Sequence, residues 1–338
     1  MNKLDVLNLV NPQMKAILAK EDTLAGDAND TSVGFEVMRE NYVLGRQYWL
    51  AGGPEMVEKF DRTVEGPHGD IPVRFYYPTQ ECADAKAAGE GKIPAIVYVH
   101  GGGFVLGNLE THDRICRVLA EQARAIVVAV DYQLSPEAKY PVAIQEVCAV
   151  ASFLHTDGAQ FGIDGERLGM AGDSGGAHLN LAATLYLREE MGGADFVKAL
   201  LLYYGTFGLG DTASSRLLGG PWDGLRKEDL DFYMSLYTNP DMGGLQAKYF
   251  DLFSHEMRAD NMPGLYIAAA EYDPLRDDSY CLACIADQYD IPYEYEEFEG
   301  VIHAFLHYTR SLDAANDALR HGASFFRRMT GILDDGLL

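Results

Sequence analysis

The chain has 338 residues, 48% of them apolar, and carries 51 acidic against 27 basic side chains for a formal charge of −24. It is long enough for one large α/β domain or two smaller ones, while the charge excludes nucleic acid and anionic membrane surfaces as partners and has solubility as its plain use. The lack of any run of about 20 apolar residues excludes a membrane span. The polar start Met1-Asn2-Lys3-Leu4-Asp5 is unlike a signal peptide. Together with five scattered cysteines, Cys82, Cys116, Cys148, Cys281 and Cys284, it points to the cytoplasm and to no disulfides.

Residues 1–55 read as helical. Val6, Leu7, Leu9, Val10, Met14, Ile17 and Leu18 form one apolar stripe. Phe35, Val37, Met38, Tyr42, Val43, Tyr48 and Trp49 form a second, which ends at Gly52-Gly53-Pro54. Two strands, Lys59–Val64 and Ile71–Tyr77, follow around a Gly66-Pro67-His68-Gly69-Asp70 turn. Residues 79–92 are polar and Ala/Gly-rich, which predicts an exposed loop.

From there strand and helix alternate: strand Ala95–Val99, helix near His112–Ala123, strand Ala125–Val130, helix near Val142–His155, strand Leu168–Gly172, a helix after it, and strand Ala199–Tyr204. The strands are continuous apolar runs, as in a parallel sheet covered on both faces. The rhythm breaks over residues 205–261, an aromatic-rich stretch too long for a simple loop and read as a helical insertion. It resumes with strand Leu265–Ala270, a helix near Ser279–Tyr289, strand Pro292–Phe298 and a helix near Leu312–Met329. The predicted organisation is an N-terminal helical cap segment at 1–55, core at 56–204, an inserted cap segment at 205–261 and the rest of the core at 262–338.

The chemistry centres on Gly172-Asp173-Ser174-Gly175-Gly176. This is Gly-x-Ser-x-Gly between a strand and a helix, a serine on a tight turn where the flanking glycines avoid Cβ clashes. The same five letters surround the serine of trypsin-like proteases, but those place histidine and aspartate before it on a disulfide-tied β-barrel. A serine hydroxyl needs a base, an orienting carboxylate and an oxyanion hole. In open α/β sheets these sit at the carboxyl ends of strands. His100-Gly101-Gly102-Gly103 directly follows a core strand, so N–H groups of Gly101, Gly102 and Gly103, with that of Gly175, are the expected oxyanion donors and His100 the support of their loop. Asp273 follows the Leu265–Ala270 strand and His303 the Pro292–Phe298 strand, giving the order Ser174, Asp273, His303. Asp277 and Asp278 suit the start of the next helix. Cys281 and Cys284 are expected to serve core packing. His303 and His307 lack the glutamate of a zinc-peptidase motif, so no metal and no cofactor is expected.

The motifs HGGGFVLGNLETHDRI (100–115), DYQLSPEAKYP (131–141), LLGGPWDGL (217–225), AEYDPLRDDS (270–279) and HAFLHYTR (303–310), with the serine turn, resemble the hormone-sensitive-lipase-like (GDXG) family of α/β-hydrolases, and within it the bacterial acetyl esterases. The resemblance implies an α/β-hydrolase fold and a serine esterase for short acyl chains, acetyl to butyryl. It also implies the same triad and a lid made of the N-terminal helices and the 205–261 insertion. Trp49 and Trp222, which lie in those two segments, are expected to line the substrate pocket. Gly175 departs from the family, where alanine is commoner. A small ester is the expected partner, and a homodimer is compatible with the chain. Rival readings are a ligand-binding protein on the same fold, which would lack a triad member, and an amide or lactone hydrolase using the same triad.

Overall fold

The computed structural model describes residues 3–24 and 30–332; positions 1–2, 25–29 and 333–338, parts of the expected cap and terminal core segments, lie outside the described residues. The N-terminal stripe is split by Asn11, which caps the next helix by accepting the Met14 N–H, and by Pro12 at that helix's first position. This gives α1 (Val6–Leu9) and α2 (Pro12–Glu21), and the second stripe gives α3 (Phe35–Leu50). Val6, Val10, Met14 and Ile17 are buried as their spacing predicts, but Leu7 and Leu9 face solvent. On α3 the buried side chains are Met38, Tyr42, Arg46 and Trp49, so the apolar stripe carries a charge.

The hairpin strands are longer than predicted, β1 (Glu58–Gly66) and β2 (Gly69–Tyr77). The expected loop at 79–92 is instead largely helix α4 (Gln80–Ala88). Thr79 caps it by accepting the Cys82 N–H, Cys82 and Ala85 bury one edge, and Gly89 ends it in the left-handed region. Its low apolar content hid an amphipathic edge only two residues wide. Then follow β3 (Ile93–Val99), α5 (Asp113–Ala123), β4 (Ile126–Val130), α6 (Val142–Asp157), β5 (Ile163–Asp173), α7 (Gly175–Glu190) and β6 (Val197–Tyr203). The insertion holds two helices, α8 (Ala213–Leu217) and α9 (Lys227–Tyr237), and single 3-10 turns at Pro240–Met242, Gly244–Gln246 and Leu252–Ser254. β7 (Gly264–Tyr272), α10 (Arg276–Gln288), β8 (Tyr293–Ile302) and α11 (Asp313–Thr330) complete the chain.

The eight strands form one sheet in the order β1-β2-β4-β3-β5-β6-β7-β8, with β2 antiparallel to both neighbours and every pair from β4 to β8 parallel. This is the α/β-hydrolase fold. Side chains of β3 and β4 are buried throughout, and both faces are covered: α6, α7 and α10 pack on one, α5 and α11 with α2 on the other. Four strand ends, those of β3, β5, β7 and β8, therefore open on the same edge of the sheet. No helix of the described residues is long and apolar enough to cross a membrane.

Candidate active site

Ser174 stands between β5 and α7 at φ 53°, in the left-handed region that disfavours any residue with a Cβ. The neighbours hold it there. Its N–H donates to the Tyr203 carbonyl (2.9 Å), and its own carbonyl accepts from the N–H groups of Ala177 (3.1 Å) and His178 (3.3 Å). A Cβ on Gly172 would come within 2.6 Å of the Val99 carbonyl, and one on Gly176 within 2.0 Å of the same oxygen. Both flanking glycines are thus dictated by how closely the turn approaches β3.

β8 delivers His303 next to this serine. His303 Nε2 is 2.8 Å from Ser174 Oγ, and Nδ1 is 2.7 Å from Asp273 Oδ2. Asp273 is fully buried, and its other oxygen accepts the Leu275 N–H at 2.8 Å. An ionised carboxylate can only accept, so Nδ1 carries the proton toward Asp273 and Nε2 is left to accept from the serine hydroxyl. Burial favours the neutral imidazole. The charge and hydrogen bond of Asp273 oppose it and win, so His303 sits above its ordinary pKa of 6.5.

The His100–Gly103 loop lies beside the serine. Gly102 (φ 121°) and Gly103 (φ 59°) both occupy backbone regions that favour glycine, and the Gly102 carbonyl closes the turn by accepting from Val105 (3.1 Å) and Leu106 (2.8 Å). Gly102, Gly103 and Gly175 share the cavity with Ser174, and among the described residues no acceptor meets their N–H groups. Gly101 differs from the expectation. Its N–H donates to Asp173 Oδ1 at 3.0 Å and faces inward, so it is not available to an oxyanion. His100 does brace the loop: its Nδ1 is 2.8 Å from the Gly101 carbonyl, its ring stacks on Tyr132 at 4.4 Å, and Tyr132 Oη donates to the His100 carbonyl. Burial, together with neighbouring His112, lowers the His100 pKa to about 3, which keeps the ring neutral.

Neither tryptophan lines the cavity. Trp49 is buried beneath α3, edge-on to Tyr308 and donating to Glu21 Oε1 (2.6 Å), and Trp222 packs beside Gly220. The walls contributed by their segments are instead Tyr42 and Arg46 from α3 and Asp223, Leu225 and Tyr233 from the insertion. Side-chain size was a poor guide to which residues of these segments line the cavity. Asp277 and Asp278 do open α10, yet their role is specific. Asp278 Oδ1 accepts the N–H groups of Phe207 (2.5 Å), Gly208 (3.0 Å) and Leu209 (3.2 Å), and Asp277 accepts that of Ser214 (2.9 Å). Cys281 is only partly buried and Cys284 is exposed, so this pair is not core packing.

A buried polar cluster beneath the serine escaped the sequence reading. Asp173 accepts from Tyr98 Oη (2.7 Å) as well as from Gly101, and His112 Nε2 lies 3.5 Å away. Burial opposes its charge, but His112, His307 and the Tyr98 hydroxyl together outweigh burial and hold its pKa below the ordinary carboxylate range. His307 packs edge-on against His112 at 4.6 Å and pairs with Tyr42 Oη at 3.0 Å. His112, Asp173 and His307 could in principle grip a metal ion. Asp173 and His307 have protein partners in Tyr98, Gly101 and Tyr42, while His112 Nε2 has none among the described residues within hydrogen-bond geometry.

A strand-borne serine in contact with a histidine–aspartate pair, on this sheet, defines a hydrolase. A model of the α/β hydrolase fold matches residues 96–307, and the chain belongs to that family. It is 41% identical over 326 residues to the acetyl esterase of Salmonella dublin, covering 96% of each chain, and 40% identical to that of Salmonella typhi over the same span. Among solved structures it superposes on a hyperthermophilic esterase of Pyrobaculum calidifontis with a TM-score of 0.84 at 28% identity, covering 95% of this chain and 99% of that one. An ester hydrolase from the Lake Arreo metagenome, solved with a bipyridine phosphonate derivative, gives 0.84 at 27% identity, covering 96% and 100%. The chain is a carboxylic ester hydrolase.

Proposed function

We propose that this enzyme hydrolyses short-acyl esters, acetyl to butyryl, through Ser174, His303 and Asp273. The observation that carries the reading is the unbroken line from Ser174 Oγ through both nitrogens of His303 to Asp273, at 2.8 and 2.7 Å. His303 Nε2 takes the serine proton as Oγ attacks the ester carbonyl, and returns it to the departing alcohol. Water activated by the same nitrogen then releases the acid, while Asp273 keeps the imidazole in the required tautomer. The N–H groups of Gly102, Gly103 and Gly175 receive the oxyanion.

The short-acyl preference draws on the acetyl esterase relatives and on aromatic walls, Phe104 and Tyr233, standing across the cavity. The lid in this proposal is the N-terminal segment 1–55 together with the insertion 205–261. Two bonds support treating them as one cap: Thr31 Oγ1 to Asp229 Oδ1 (3.1 Å), and the Leu4 N–H to the Leu217 carbonyl (3.0 Å). A cytoplasmic setting is supported by five cysteines that are all free thiols. The test is a 4-nitrophenyl ester series from acetyl to dodecanoyl. The expected kcat/KM is highest from acetyl to butyryl and small beyond octanoyl, and a maximum at long chains overturns the assignment.

A further inference from the structure

Arg46 is a buried cation without a carboxylate in close contact. It is 9% exposed, lines the same cavity as Ser174, and is the one Lys or Arg among the cavity's described residues. A buried guanidinium ordinarily has carboxylate partners in hydrogen-bond contact. Here Glu21 is the sole carboxylate within 4 Å among the described residues, at 3.9 Å, and that same Oε1 already accepts Trp49 Nε1 at 2.6 Å. The guanidinium also lies over the ring of Tyr42 at 4.7 Å, and Tyr42 and the Tyr308 hydroxyl, with Glu21, hold its charge against burial. Its Nε, itself closed to solvent, has no hydrogen-bond partner among the described residues.

The other charged groups of the cavity are committed elsewhere. Asp173 is held by Tyr98 and Gly101, and Asp223 by the N–H groups of Gly220 and Leu225 (3.0 Å each). His307 does not compete for an anion, because burial and then Arg46 itself drive its pKa well below the ordinary value. Arg46 is therefore the one guanidinium or ammonium in the described lining, which also holds the carboxylates of Asp173 and Asp223, in a chain whose net charge is −24. That long-range charge does not forbid a small anion, since exposed charges are screened beyond about 8 Å at physiological salt.

We propose that Arg46 is an anion-binding, specificity-determining residue, and that the preferred substrate is a short-acyl ester whose alcohol portion carries a carboxylate. The inference rests on the short-acyl reading above: acetyl to butyryl groups are unsubstituted alkanoyl chains, so on that reading the anion belongs to the alcohol. The planar guanidinium fork matches a carboxylate in shape as well as charge.

The experiment compares 4-acetoxybenzoate with methyl 4-acetoxybenzoate, which share the acetyl ester and differ in the para substituent, carboxylate against neutral methyl ester, on wild type and on Arg46→Met. Hydrolysis of the neutral methyl ester by wild type reports the esterase reading alone. In wild type the carboxylate substrate is expected to show the lower KM. The ratio of kcat/KM, carboxylate over methyl ester, is expected to fall about tenfold or more in Arg46→Met, the loss typical of a charge-assisted hydrogen bond. A ratio that does not change, with both substrates affected alike, overturns the proposal. Should the variant not fold, wild type decides by inhibition. 4-Hydroxybenzoate is expected to bind about tenfold or more tighter than its methyl ester, and equal inhibition constants sink the idea.

Discussion

The sheet core and the two segments over it are built by different rules. In the core, β3 and β4 are buried at every position, and Ser174, Asp273 and His303 stand at strand ends whose backbones are fixed by the ladder. The segments above have short helices and single turns, and polar ties hold them down. Arg39 donates to the carbonyls of Val105 (2.8 Å) and Ser135 (2.9 Å) and forks onto Glu137, joining α3 to the oxyanion loop. Asp278 gathers three N–H groups at the start of the insertion. The groups proposed to make and break bonds thus sit on the part with the least freedom, while cavity residues such as Arg46 and Tyr233 come from the part that is pinned point by point. Such a division lets the pocket vary without disturbing the chemistry.

The comparison breaks hardest at the core. Ser174→Ala and His303→Ala are each expected to lower kcat by roughly 10⁴-fold or more with unfolding temperature nearly unchanged, measured on 4-nitrophenyl acetate beside a thermal melt. An activity loss under tenfold would move the reaction elsewhere in the cavity. Asp273→Asn is expected to cost nearly as much, and it adds a pH signature. His303 must be neutral to accept the serine proton, so wild-type kcat/KM should climb with pH to an apparent pKa above 6.5, the direction set by Asp273. Removing that carboxylate leaves burial as the dominant influence, which lowers the histidine's pKa, so the climb in the variant should move to lower pH. An unmoved limb would mean that the limb does not report His303.

A smaller effect tests the ties. Asp278→Ala strands three buried N–H groups and should cost about 1–3 kcal/mol of stability. Asp278→Asn keeps an acceptor in place and sharpens the point. Burial lifts the Asp278 pKa to about 7 against its backbone donors, so the folded state binds this proton more tightly than the unfolded state does. Its contribution is complete below the unfolded value near 4 and is lost as pH rises through 7. The unfolding temperature of Asp278→Asn relative to wild type should accordingly improve between pH 5 and pH 8, and a gap that stays constant would show that the carboxyl does not titrate there. The smallest effect concerns the first residue of α7. A Cβ at Gly175 would stand 3.3 Å from Phe104, close but without a backbone clash. Gly175→Ala is expected to stabilise the enzyme by about 0.5–1 kcal/mol in a denaturant titration, with kcat changed little because the N–H is retained.

Much of this protein is written in local pattern. Continuous apolar runs name the parallel strands, and a serine between Gly172 and Gly176 names the turn, because backbone geometry alone rules out side chains there. Asp273 and His303 were legible because strand ends in such a sheet converge on one edge, so position in the alternation stands in for position in space. What the one-dimensional pattern left open depends on partners far away in the chain. Gly101 looks like its neighbours until Asp173, 72 residues on, takes its N–H. Trp49 reads as a lid residue until Glu21 and Tyr308 turn it inward. Arg46 carries no signal of its own in the sequence, and only the packing of α3 beside Tyr308 buries it next to the serine's cavity. Periodicity tells which face of an element is buried. Only the tertiary structure decides what that face meets, because a side chain's environment is set by elements that share no sequence neighbourhood with it.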